Sequence, residues 1–209
     1  MALPAEKLEQ RLTQPQHNLR LVPDIKWELI DGAIVMMSPG KPGHSRASRN
    51  IFRKIDHFLQ GQGGLCEAFM ENIFVRLTED NRFIPDIAVI CDKSAVTDDE
   101  VNGPPDLIVE VLSPSTAKND RGHKMRIYGK TGVKEYWIVD PNNFSIEVYM
   151  NNDGKMELDG YYAILPKTDP KFYKEIGQEI PETSFNSLTF PELNIDLYEI
   201  FADVLPEGY

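Results

Sequence analysis

Two carboxylates stand inside strand-like apolar runs, and any fold of this chain must satisfy them. Asp86 lies in FIPDIAVI and Glu110 in DLIVEVL. By the two-residue alternation of a strand, Asp86 shares a face with Ile84, Ala88 and Ile90, and Glu110 with Ile108 and Leu112. An isolated carboxylate on such a face costs several kcal/mol to desolvate, so each needs a partner or a proton. If the two strands are neighbours, both acids converge on one hard cation, which takes oxygen ligands. A half-exposed sheet or a basic partner would satisfy the same residues, and spacing alone leaves the choice open.

The surrounding pattern is that of one α/β or α+β domain with a central sheet. Residues 27–37 read as a hairpin, WELI and AIVMM around the turn pair Asp31-Gly32. After a Pro/Gly loop at 38–43, Ala47, Ile51, Ile55 and Phe58 form a helical stripe that ends at Gly61. Strand-like segments follow at 66–77, 83–91 and 106–112, then a second helix over 117–130, then strands at 135–139 and 144–150. Residues 151–190 read as β and loop, and Leu197, Ile200, Phe201 and Val204 as a short final helix. The expected organisation is a single domain over 1–209, with its core at roughly 25–150 and a C-terminal extension over 151–209.

In the second helix, Asp120, Ile127 and Tyr128 lie within a quarter-turn of Lys124, whereas Arg126 and Lys130 point away. Lys124 is therefore the lysine on the sheet-facing stripe, and it reaches either a buried acid or only Asp120 at i−4. In the first helix, Arg46, Arg49 and Arg53 fall opposite the apolar stripe, on the solvated side, while His44 projects toward Ala47 and Ile51.

Charge narrows the partners. The chain carries a net charge of −11, yet 11 of its 22 basic residues lie within 41–54 and 118–134, and 175–209 holds eight acids and no Lys or Arg. A basic rim on an acidic body remains compatible with a polyanion. Cys66 and Cys91 are too few for a disulfide framework or a four-cysteine zinc site, and they read as buried thiols in a reduced, cytoplasmic protein. No apolar run reaches the ~18 residues of a membrane span. Phosphate-loop glycine spacing and the G-x-S-x-G elbow are both missing, so Ser113 and Ser115 read as turn residues that start the second helix.

The stretch PPDLIVEVLSPSTAKNDRGHKMRIYGKTGVKEYWIVDP, with Pro85-Asp86 upstream, closely resembles a family of restriction-endonuclease-like proteins abundant in cyanobacteria and related bacteria. That family is placed in the PD-(D/E)xK nuclease superfamily, and the resemblance runs from WELIDG at 27–32 to about residue 150. It implies a restriction endonuclease-like fold: a mixed central sheet flanked by helices in an αβββαβ core, with additional hairpins. It also implies a DNA endonuclease that uses Mg²⁺ (or Mn²⁺). Asp86, Glu110 and the Val111 carbonyl would be the metal ligands, and Asp86, Glu110 and Lys124 the catalytic set. Leu112 stands where the motif has its lysine, so Lys124 from the following helix takes that role. Glu28, His44, Asp120 and Arg121 are second-rank site residues, with Arg121 and Lys118 set to follow backbone phosphates. A homodimer is expected because two-strand cutting needs two sites. The competing reading is a nuclease scaffold retained for nucleic-acid binding or assembly without catalysis; a two-carboxylate sugar hydrolase would require an aromatic-lined groove that this pattern does not suggest.

Overall fold

The computed structural model describes residues 26–165, 175, 177 and 179–206. The chain opens with the hairpin of β1 (Trp27–Ile30) and β2 (Ala33–Met36), closed by Asp31 and Gly32, both at positive φ as the tight hairpin turn requires. Helix α1 (Pro42–Gly61) starts on a proline, whose missing N–H costs nothing in the first turn. It buries Ala47, Ile51, Ile55 and Leu59; the stripe ends one residue later than the expected Phe58, which packs at its edge.

Next come β3 (Glu67–Met70), β4 (Val75–Arg76), β5 (Arg82–Phe83), β6 (Ile87–Ile90), β7 (Val101–Asn102) and β8 (Leu107–Val111). Two of the expected strand segments are broken, each for a local reason. Within 66–77, Glu71 and Asn72 adopt positive φ and turn the chain out of β3. Within 83–91, Pro85 has no N–H to give a ladder. The chain therefore leaves one sheet after Phe83 and enters another at Ile87, and Asp86 sits at that crossing.

The second helix has three parts: α2 (Ala117–Asn119), a π-helical turn at Asp120–Lys124, and α3 (Met125–Thr131), which ends at Gly132 with φ of 99°. The π turn is a departure from the regular helix expected there. Strands β9 (Glu135–Asp140), β10 (Ser145–Asn152) and β11 (Lys155–Ala163) complete the central sheet. The short pair β12 (Ser184–Asn186) and β13 (Asn194–Asp196) leads into α4 (Leu197–Phe201).

The central sheet has six strands in the order β11-β10-β9-β8-β6-β3, and only β8 and β9 run parallel. A smaller five-stranded sheet has the order β2-β1-β5-β4-β7. One face of the central sheet (Val89, Val109, Trp137, Ile146) packs on α1 and α4. The other (Ile108, Leu112, Tyr136, Ile138) packs on Ile127 and Tyr128 of the second helix and on Phe83 of the smaller sheet. This is the expected mixed sheet flanked by helices. Among the described residues, no helix is long and apolar enough to cross a membrane.

The expectation of two free thiols is overturned, because Cys66 and Cys91 form a disulfide. The cause is register: the pairing Glu67↔Ile90, carried one step outward, sets Cys66 opposite Cys91 on neighbouring strands. Their spacing of 25 residues in sequence hides this adjacency.

Helix α3 approaches the β10–β11 turn so closely that a Cβ at Gly129 would lie 2.8 Å from the Gly154 carbonyl oxygen and 3.1 Å from the Met156 nitrogen. Both are backbone atoms. Gly129→Ala is therefore expected to cost about 1–3 kcal/mol through overpacking, despite alanine's better helix propensity. Urea denaturation measures it; a stabilised variant would show that the turn can give way.

Candidate active site

The register Ile87↔Val109 between β6 and β8, continued one residue, puts Asp86 beside Glu110 at the end of the ladder. Opposite residues on neighbouring strands share a face, so the two carboxylates stand together. Asp86 Oδ2 accepts the Val111 N–H at 2.7 Å and lies 3.2 Å from His44 Nε2 in the first turn of α1. Gly40 permits that contact: a Cβ there would come within 3.0 Å of His44 Nδ1.

Glu110 Oε1 accepts both Lys124 Nζ at 2.9 Å and the Tyr128 hydroxyl at 2.8 Å. Glu28, brought in by the hairpin, accepts the Ile84 N–H at 2.9 Å and pairs with Lys124 at 2.8 Å through the same oxygen. Asp120 Oδ1 is 3.6 Å from Lys124 Nζ. The side chain of Lys124 is 1% exposed, so its ammonium sits buried among three carboxylates. The π turn that carries Asp120 and Lys124 widens the helix at this point, a feature common at functional sites. His44, Asp86, Glu110, Val111 and Lys124 line one cavity of about 460 Å³, with Lys26 and Glu71 at its rim joined by an ion pair.

The groups hold one another's charge. Burial alone would lower the Lys124 pKa, but Glu110, Glu28 and Asp120 override it and raise it well above the ordinary lysine value. Burial raises the Glu110 carboxyl well above the usual range against the pull of Lys124, and Asp120, Asp86 and Glu28 push it further. Asp120 is raised by burial too, against the pull of Lys124 and of Thr116. Burial would lower the His44 imidazole, but Asp86, Glu71 and a backbone hydrogen bond to Val111 raise it instead.

Four carboxylates, Glu28, Asp86, Glu110 and Asp120, thus crowd around the Lys124 ammonium and the His44 imidazole. A divalent cation would relieve this surplus of negative charge. Among the described residues no three His, Cys, Asp or Glu side chains form a cage for a metal. Mg²⁺ does not need one, since it takes one or two carboxylates and keeps several waters. Asp86, Glu110 and the Val111 backbone, all on one cavity wall, fit that donor set.

Not every residue singled out in the sequence comes to this cavity. Arg121 turns away and pairs with Glu147 on β10, which is also hydrogen-bonded by Tyr149. Lys118 is exposed. Arg49 pairs with the Asp203 carboxylate and Lys54 with Glu199, while Arg46 donates to the Asp203 main-chain carbonyl, so part of the basic face of α1 is matched by the acidic C-terminal segment. Leu112 joins the core beside Ile108, Ile127 and Tyr128, which leaves the place beside Glu110 to the lysine from the helix. Tyr128 is a site residue that the helix stripe alone does not mark; its place one turn beyond Lys124 on that stripe is what brings its hydroxyl to Glu110.

The profile of the family Uma2, described as "Putative restriction endonuclease", matches residues 14–171. An uncharacterized protein of Synechocystis sp. (strain ATCC 27184 / PCC 6803 / Kazusa), slr1290, is 32% identical over 142 residues, covering 67% of this chain and 71% of that protein. A second uncharacterized protein of the same strain, sll1609, is 29% identical over 128 residues, covering 59% and 71%. In three dimensions the fold is similar to a crystal structure from Anabaena variabilis ATCC 29413 described as a "putative nuclease belonging to DUF820", with a TM-score of 0.63 over 86% of this chain and 91% of that one, at 20% identity. The family profile spans most of the chain, including every residue of the cavity, and the chain belongs to this restriction endonuclease-like family.

Proposed function

We propose that this protein is a metal-dependent endonuclease that hydrolyses phosphodiester bonds in DNA. The observation that carries the reading is the meeting of the Asp86 and Glu110 carboxylates and the buried Lys124 ammonium at one cavity. Membership of a restriction endonuclease-like family supports it.

Asp86, Glu110 and the Val111 carbonyl would hold Mg²⁺ or Mn²⁺. Such an ion supplies an acidified water as nucleophile and neutralises charge on the phosphoryl oxygens. The remaining work falls to the protein's own groups. Lys124 stays protonated among its carboxylates, so it cannot serve as a base; it places a fixed positive charge beside the reacting phosphate and orients the attacking oxygen. Tyr128 holds Glu110, and the Val111 N–H with His44 holds Asp86, so both carboxylates are aimed before substrate arrives. Glu28, pinned by the Ile84 N–H, positions Lys124.

Calorimetric titration with Mn²⁺ tests the site without a known substrate. Binding is expected in the wild type and should weaken by about tenfold or more in Glu110→Ala. If the wild type takes up no Mn²⁺ at millimolar concentration, with or without DNA, the site is a retired nuclease scaffold.

A further inference from the structure

A second cavity of about 410 Å³ adjoins the first, and the two share His44 and Ser113. It forms where three segments meet: the start of α1, the turn after β8 and the turn after β9. Each contributes a proline, Pro42, Pro114 and Pro141, and Phe144 and Val204 close the wall. Prolines present flat apolar rings and no N–H, so this wall has little hydrogen-bonding demand of its own. Polar groups stand at its rim: Lys41 and Asn142, both exposed.

We propose that this cavity receives the base of the nucleotide next to the scissile phosphate, drawn out of its stack. The proposal rests on the nuclease reading and adds a subsite to it. Its volume lies in the range of small-ligand pockets, roughly 300–1,000 Å³, which accommodates one nucleoside and excludes a duplex. Flat proline rings and apolar side chains suit the face of any base through apolar contact, without regard to its identity. The Asn142 amide offers both a donor and an acceptor to a base edge, and Lys41 offers charge to a flanking phosphate. Because His44 and Ser113 line both cavities, the second lies immediately beside the one that holds Asp86 and Glu110, within reach of a nucleotide next to a phosphate bound there. An enzyme that extrudes a nucleotide needs such a pocket beside its reacting centre.

The test is calorimetric titration of the full chain, with and without Mn²⁺, by dAMP, dCMP and 2-deoxyribose 5-phosphate. The nucleotides are expected to bind about tenfold or more tightly than the sugar phosphate, a difference of about 1.4 kcal/mol. Val204→Trp, which fills the cavity, should abolish that advantage and leave Mn²⁺ affinity unchanged. Asn142→Ala, at an exposed position that does not threaten folding, should reduce it severalfold. Equal affinity for nucleotide and sugar phosphate in the wild type would overturn the proposal, as would an advantage that survives both substitutions. Base-dependent binding without Mn²⁺ uptake sustains the subsite and refutes only the metal-dependent reading. Mn²⁺ uptake without base dependence does the reverse.

Discussion

With methionine in place of Lys124, the protein is expected to lose about 3–5 kcal/mol of stability, because one partner of a buried charge cluster is removed. Methionine fills much of the volume of the lysine stem, so the loss is mainly electrostatic. Glu28 and Glu110, at 2.8 and 2.9 Å, and Asp120 at 3.6 Å would be left buried together without the ammonium that now lies among them. At about 2–4 °C per kcal/mol for a chain of this size, the melting midpoint should fall by on the order of 10 °C. The deficit should depend on pH with a definite sign. Glu110 and Asp120 are already raised by burial, and Lys124 pulls them down, so its removal raises them further. A carboxyl raised in the folded state stabilises the fold below its unfolded value, near 4, and that contribution is lost as pH rises through the folded value. The variant should therefore compare worst with the wild type near pH 8 and better near pH 5. Urea denaturation across that range decides it, and a deficit that does not change with pH would assign the loss to packing. If DNA is cleaved, turnover of Lys124→Ala should drop by about 10²-fold or more while Mn²⁺ still binds.

A comparable loss is expected far from the cavity, at Glu135. This carboxylate is fully buried and accepts four hydrogen bonds: from Trp137 Nε1 and the Leu188 N–H at one oxygen, and from Ser187 Oγ and the Thr189 N–H at the other. Three of the donors belong to the loop between β12 and β13, so Glu135 ties that loop to the central sheet. Glu135→Ala strands all four donors, each costing about 1–3 kcal/mol when buried and unpaired, less whatever water can enter. A net loss of about 3–5 kcal/mol follows. Glu135→Gln should recover little, since its amide NH₂ would face N–H or O–H donors. Hydrogen exchange should rise at Leu188 and Thr189 in both variants while the Val109 amide stays protected. Protection unchanged at the loop would mean that β12 and β13 hold it unaided.

The contrast between Glu135 and the cavity shows where sequence reasoning ends. The reading that singled out Asp86 and Glu110, a carboxylate inside an apolar strand, applies equally to Glu135 in EYWIVD and Glu147 in SIEVYM. Of the four, two open on a shared cavity, one is satisfied by the donors of a loop, and one pairs with Arg121. Strand alternation says which way a carboxylate points but not what lies there. The hairpin turn and the apolar stripe of α1 were legible because they depend on neighbours in sequence. The breaks at Glu71-Asn72 and Pro85 were partly legible, through proline's missing N–H and asparagine's tolerance of positive φ. The π turn was not, because its extra residue leaves the apolar spacing almost intact.

Sequence by itself determined the hairpin, the first helix and the approximate course of the main strands, the lysine on the inner stripe of the second helix, and the family to which the chain belongs, but not the strand breaks or the π turn. These follow from local periodicity and from a motif of high specificity. Only the tertiary structure decided which distant groups meet: Lys124 with Glu28 and Glu110, Arg49 and Lys54 of α1 with Asp203 and Glu199, Cys66 with Cys91. Such pairings come from strand register and helix packing between segments far apart in the chain, and a charge or a thiol carries no record in sequence of its distant partner.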